Sequence, residues 1–200
     1  MKRLTDEQLM ERLQQGQTEA LDELYARYAR KLYAFCYHTT HSADAQDLVQ
    51  DVFERVIKAA RTFNPQRAAF RTWMFSIARN HCIDVSRRRK RFQFISIGKS
   101  LDQRESEEEP ALEDTLIDAR QNVESSVTRS AVIEAVRDCI NGLENKEEKQ
   151  AIVLYYLGGK VYREIGEVLG KSTSMARNYI KSAQEKVKRC LESKGINSMP

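Results

Sequence analysis

Several sets of side chains in this sequence are spaced to meet charged or unstacked partners, and none is spaced for a reaction. Asp44, Asp47, Asp51 and Glu54 recur at three- and four-residue steps, which on a helix aligns four carboxylates along one ridge. Such a ridge is ordinarily a solvated face; its functional reading is docking against a basic helix of a partner. Arg71, Arg79 and Asn80, then the run Arg87-Arg88-Arg89-Lys90-Arg91, put cations and an amide beside Phe70, Trp73 and Phe75. Phosphates need charge and unpaired bases need stacking surfaces, so this set suits single-stranded or locally opened DNA. Trp73, at helical spacing with Ile77, reads as core.

The third set lies near the C-terminus. Val161–Leu169 carries Tyr162, Ile165, Val168 and Leu169 on an inner face, Gly170 supplies a tight turn, and Ser172 caps a following helix. In that helix Met175, Ala176, Tyr179, Ile180, Ala183 and Val187 are expected to point inward. Ser174, Arg177, Asn178 and Lys181 form the opposite stripe, whose cations and amide can meet phosphates and base edges in a major groove. A solvated amphipathic helix would look similar in part. The cap, the turn glycine and the cationic stripe together favour DNA.

Catalysis finds no footing. An enzyme would need a nucleophile with acid–base partners or a carboxylate metal cluster. The acidic ridge lies on a regular helix with no glycine-rich or histidine-bearing neighbour, so no catalytic residue and no cofactor is assigned. Cys36, His38 and His41 lack the second ligand pair typical of zinc sites, so no metal is assigned either. The four cysteines, Cys36, Cys82, Cys139 and Cys190, have no paired spacing and read as reduced thiols.

The elements that would position these sets are all helical. Thr5-Asp6-Glu7-Gln8 is a capping box opening a short helix that Gly16 ends. A longer helix from about Thr18 repeats Leu21, Leu24, Tyr25, Tyr28, Leu32, Phe35 and Cys36 on one face. A third runs from about Ala43 to Arg61, and Asn64-Pro65 breaks the pattern. A fourth covers roughly Ala69 to Arg89. From Phe92 to about Ser126 periodicity fades around Ser106-Glu107-Glu108-Glu109-Pro110, a linker composition. Helices resume at Val132–Ile140, Lys146–Leu157, Val161–Leu169 and Thr173–Ser193. The expected fold class is all-α: a four-helix domain at 1–94, an acidic flexible linker at 95–127, and a four-helix helix-turn-helix domain at 128–194.

Charge follows the same division. Residues 1–94 carry 17 Lys and Arg against 11 Asp and Glu, residues 95–118 carry 2 against 8, and residues 119–200 carry 14 against 10. Two basic blocks flanking an acidic connector suggest two nucleic-acid-facing modules and a strap that avoids or imitates nucleic acid. A connector of this composition would not by itself hold the modules at a fixed separation. No apolar run approaches the ~20 residues of a membrane span, and Met1-Lys2-Arg3-Leu4-Thr5-Asp6-Glu7 turns acidic without a signal-peptide core. The expected location is the cytoplasm.

Taken as a set, these residues resemble a known family. Asp44-Ala45-Gln46-Asp47-Leu48-Val49-Gln50-Asp51-Val52-Phe53, Phe70-Arg71-Thr72-Trp73-Met74-Phe75-Ser76-Ile77-Ala78-Arg79-Asn80 and Ile83-Asp84 resemble the second conserved region of sigma-70 superfamily factors of the extracytoplasmic-function (ECF) group. Tyr155-Tyr156-Leu157 and Tyr162-Arg163-Glu164-Ile165-Gly166 resemble their fourth. The resemblance implies a promoter-specificity subunit of RNA polymerase, active in transcription initiation. Asp47, Gln50, Asp51 and Glu54 would dock on the clamp helices of the largest core subunit. The Asn64–Phe70 loop, with Asn80 behind it, would pocket a base flipped from the minus-ten element. Arg71 and the Arg87, Arg88, Arg89, Lys90, Arg91 run would hold DNA there. Ser174, Arg177, Asn178 and Lys181 would read the minus-thirty-five element, and their domain would touch the polymerase flap. Members of the group are commonly held by an anti-sigma factor. Ser76 and Ile77 stand where housekeeping factors carry a tryptophan pair, which implies weaker melting and stricter promoter choice. The alternative reading is a self-sufficient helix-turn-helix regulator, for which the sequence offers no dimerisation helix.

Overall fold

Thr5 opens the first helix by the expected reciprocal bonds: Gln8 N–H donates to Thr5 Oγ1 at 3.2 Å, and Thr5 N–H donates to Gln8 Oε1 at 2.9 Å. The computed structural model describes residues 4–40, 44–96, 123–157 and 161–196, and the side chains of these except 90, 92–96 and 123–130. Eight α-helices are described: α1 Asp6–Gln14, α2 Glu19–Thr40, α3 Ala45–Ala59, α4 Phe70–Ser96, α5 Val123–Asn141, α6 Lys146–Leu157, α7 Tyr162–Leu169 and α8 Thr173–Ser193. A single 3-10 turn, Ala60–Thr62, follows α3. No strand occurs among the described residues, so the fold class is all-α.

The first four helices pack around α2. Its Leu24, Leu32 and Phe35 are fully buried, and each apolar side chain of this size contributes about 1.5–3 kcal/mol when removed from water. Phe35 meets Phe75 of α4 edge-on at 5.5 Å, and Phe63, Phe70 and Trp73 form an aromatic knot with centroids 5.2–6.1 Å apart. Trp73 therefore packs against the core, as its spacing predicts. Tyr28 donates its hydroxyl to Asp6, fastening α1 to α2. Burial first, then that bond, pushes the Tyr28 pKa well above the ordinary tyrosine value.

Helix α4 continues to Ser96, beyond the stop read near Arg89. The apolar period ends with the arginine run, but no glycine or proline lies between Arg89 and Ser96 and Arg and Lys are good helix formers. Helix α5 likewise begins at Val123, inside the segment expected as connector. Residues 97–122, which hold the rest of that connector, lie outside the described residues.

The second group, α5–α8, is built on α6. Glu148 to Leu154 are all buried, a pattern that marks a central helix. The charged members survive burial because they are paired: Glu148 accepts from Ser182 Oγ at 2.8 Å and Lys186 Nζ at 2.6 Å. Lys149 donates to the Asn141 carbonyl at 2.6 Å, and burial lowers its pKa.

The reading of all four cysteines as reduced thiols is corrected here. Cys139 and Cys190 are joined in a disulfide between α5 and α8, with Cα atoms 5.8 Å apart, whereas Cys36 and Cys82 remain free and buried. Sequence spacing missed the pair because 51 positions separate its members and only helix packing brings them together. The two groups also meet directly. α2 packs on α6 and α4 on α7, and one continuous core runs from Leu9 to Leu191.

Candidate functional site

The acidic ridge exists as a surface. Leu48, Val49, Val52, Phe53 and Val56 turn the inner face of α3 into the core, which leaves Asp44, Asp47, Gln50, Asp51 and Glu54 exposed. Its charges are partly compensated. Asp44 pairs with Arg89 of α4, Glu54 with Lys58 at 3.0 Å, and Asp51 accepts from His81 Nε2 at 2.9 Å. Through His81, itself buried, Asp51 is tied to α4. Beside the ridge stand two exposed apolar residues, Ile57 and Tyr25, the latter packed on Phe53 at 4.9 Å. An acidic ridge with apolar side chains beside it makes a surface suited to a basic, partly apolar helix.

The cationic set on α4 is divided. Arg87, Arg88, Arg89 and Arg91 are exposed, although Arg89 leans on Asp44. The side chain of Lys90 lies outside the described residues. Arg71 and Arg79 instead face the second helical group: Arg71 pairs with Glu164 of α7, and Arg79 Nε donates to Gln150 Oε1 at 3.1 Å. Near them the Thr72 hydroxyl is buried with no hydrogen-bond partner among the described residues. His38 and Asn141 hydrogen-bond at 2.7 Å and complete the polar seam between the groups.

In the loop before α4, Asn64 is exposed and its Oδ1 accepts from Gln66 N–H at 2.9 Å, an Asx turn that shapes the loop locally. Asn80 is exposed too. It stands ten residues along α4 from Phe70, roughly 15 Å by helical rise.

The α7–α8 pair has the geometry its sequence predicts. Gly170 adopts φ +64°, a left-handed turn that L side chains rarely hold. Ser172 caps α8 by accepting from Met175 N–H at 3.2 Å. Gly166, for which the sequence motif gives no structural reason, decides the crossing: a Cβ there would come within 2.8 Å of the Lys171 carbonyl oxygen. Only a glycine lets the turn pass this close to α7. Ser174, Arg177, Asn178 and Lys181 are all exposed along α8, and Arg177 lies over the Tyr162 ring at 5.3 Å. Ala176, Ile180, Ala183 and Val187 are buried as expected. Met175 is not: it is 41% exposed and belongs to the outer surface. The inward expectation failed on angle: at 100° per residue Met175 stands about 100° from Ala176 and about 140° from Ile180, off the buried stripe.

Among the described residues no group of three or more His, Cys, Asp or Glu side chains could hold a metal, and no helix is long and apolar enough to cross a membrane. His41 lies outside the described residues.

Residues 24–92 match sigma-70 region 2, and residues 133–187 match sigma-70 region 4. The chain is 29% identical over 166 residues to the ECF RNA polymerase sigma factor BldN of Streptomyces coelicolor, covering 82% of this chain and 58% of that protein. It is 26% identical over 173 residues to the RNA polymerase sigma factor YlaC of Bacillus subtilis, covering 86% and 91%. With the ECF RNA polymerase sigma-E factor of Escherichia coli K12 it shares 27% over 184 residues, covering 92% and 93%. Its fold is similar to the sigma factor RpoE solved with the anti-sigma factor NepR from Bartonella quintana, at TM-score 0.66 and 20% identity over 88% of this chain and 98% of that one. CnrH, solved with the cytosolic domain of CnrY, is similar at TM-score 0.61 and 23% identity, over 94% and 97%. By both matched regions and by these relatives, the chain belongs to the sigma-70 family, in its ECF group.

Proposed function

We propose that this protein is a dissociable, non-enzymatic specificity subunit of bacterial RNA polymerase, working in the cytoplasm, that directs initiation at promoters with its own minus-ten and minus-thirty-five elements. The observation that carries the reading is the presence, on one chain and in family order, of an exposed acidic α3 and an exposed recognition stripe on α8. The roles divide by segment. Residues 1–94 bind core enzyme and the minus-ten element, 95–127 link, and 128–194 bind the minus-thirty-five element and the flap.

Asp47, Gln50, Asp51 and Glu54 meet the clamp helices, with Tyr25 and Ile57 supplying apolar area beside them. Asn64 and Asn80 contact opened minus-ten bases, and Arg87, Arg88, Arg89, Lys90 and Arg91 hold phosphates. Arg71 joins them once it leaves Glu164. Ser174, Arg177, Asn178 and Lys181 enter the major groove. An anti-sigma factor is the expected controlling partner, consistent with the complexes in which the structural relatives were solved.

The test is docking. Asp47→Arg with Asp51→Arg sets cations against a cationic partner, and like charges juxtaposed at an interface cost several kcal/mol. Co-elution with core enzyme should be abolished while circular dichroism still reports a helical protein. Full-strength co-elution of a folded double variant would remove α3 from the interface.

A further inference from the structure

The exposed surface of α8 carries one apolar side chain that the cationic stripe does not explain. Met175 is 41% exposed at the third position of the helix, beside Asn178 one turn on. At 100° per residue, Met175 lies about 60° to one side of Asn178, whereas Lys181 and Arg177 lie about 60° and about 100° to the other. The outer face is thus sorted: cations on one flank, an amide in the middle, a thioether on the opposite flank. Arg177 is steadied on the cationic flank by the Tyr162 ring. In a major groove, a cationic flank turned to a phosphate strand leaves the amide and the thioether over base edges. Among major-groove edges the apolar feature is the 5-methyl of thymine, and an Asn amide pairs bidentately with adenine N6 and N7.

We infer that Met175 is a specificity-determining residue, reading the 5-methyl group of a thymine in the minus-thirty-five element next to an adenine read by Asn178. The inference rests on the promoter-binding reading above and names a base contact within it. Nothing in the fold requires a methionine here. The backbone N–H of residue 175, not its side chain, bonds to the Ser172 cap, and alanine is the better helix former. Met175→Ala should therefore fold normally and lose only the contact.

The experiment uses the full chain bound to core enzyme and a pool of duplexes randomised across the minus-thirty-five segment. After selection, each enriched thymine is replaced singly by deoxyuridine, which deletes the methyl and leaves every hydrogen-bonding group in place. At one thymine, beside an enriched adenine, the replacement should weaken wild-type binding about fourfold, the effect of one buried methyl-sized group. Met175→Ala on the thymine duplex should match wild type on the uracil duplex, and the variant should not distinguish the two. Met175→Leu, which keeps an apolar tip, should retain the methyl preference. Enrichment of a sequence in which no thymine methyl couples to residue 175 overturns the inference and leaves the promoter reading standing. Failure of the core-bound protein to enrich any sequence overturns both.

Discussion

The two cationic surfaces of this protein are exposed to very different degrees. On α8 Ser174, Arg177, Asn178 and Lys181 all face solvent, with their neighbours packed beneath them. On α4 Arg71 and Arg79 face the other helical group, through Arg71–Glu164 and Arg79–Gln150, whereas Arg87, Arg88, Arg89 and Arg91 are exposed, Arg89 paired with Asp44. One surface is open in the free chain; the other has two of its six described arginines turned to the helices that carry the first. Affinity from counterion release scales with the number of phosphates met at once, so on the proposed reading the closed arrangement would leave Arg71 and Arg79 out of the free protein's contacts with DNA. A core enzyme that draws the two groups apart would restore them, and fixing both on one DNA would add the gain of effective concentration.

The difference between the groups can be sharpened by unstapling one of them. The Cys139–Cys190 disulfide closes a loop with a sequence separation of 51, for which chain entropy gives about 4 kcal/mol. Cys139→Ser with Cys190→Ser should lower the unfolding free energy by about 2–4 kcal/mol, read from urea midpoints against the oxidised protein. Identical midpoints for oxidised, reduced and substituted proteins would mean that the cross-link restrains nothing. On the α4 surface, Asn80→Ala should leave binding to core enzyme unchanged and reduce open-complex formation, at about 1–3 kcal/mol for a lost base contact. Unchanged transcription from native promoters would make Asn80 an ordinary surface residue.

The smallest effect tests the cover itself. Glu164→Gln removes the partner of Arg71 from a partly exposed ion pair, worth about 0.5–1 kcal/mol. Binding of the free protein to a nonspecific duplex should tighten about two- to fivefold by fluorescence anisotropy, a gain converted from that energy. Glu167→Gln is the control, since Glu167 pairs only loosely with Arg163 of its own helix at 3.7 Å. Equal gains from both would mean that net charge, not the seam, sets the affinity.

Much of this was legible in the residues, and what was not has physical causes. Helix existence followed from apolar spacing, and boundaries followed where a chemical stop exists: Thr5, Gly170 and Ser172 each do in the structure what their residue types predict. Helix α4 outran its reading because a run of arginines ends hydrophobic periodicity without ending a helix. The exposed acidic ridge and α8 stripe were visible as well, since exposure on an amphipathic helix is the complement of burial. Properties that depend on two distant helices meeting were not visible. The disulfide, the Arg71–Glu164 pair and the close approach at Gly166 each require the packing to be known first. Met175 shows the converse: an apolar residue type alone does not say whether a neighbour is there to cover it.

The most direct measurement is a mobility shift on one promoter fragment with this protein alone, core enzyme alone, and the two mixed. The account predicts poor binding by the free protein, no sequence preference from core enzyme, and tight, sequence-specific, strand-opening binding by the mixture. Tight and specific binding by the free protein, with no gain from core enzyme, would contradict it and make the chain a self-sufficient helix-turn-helix regulator.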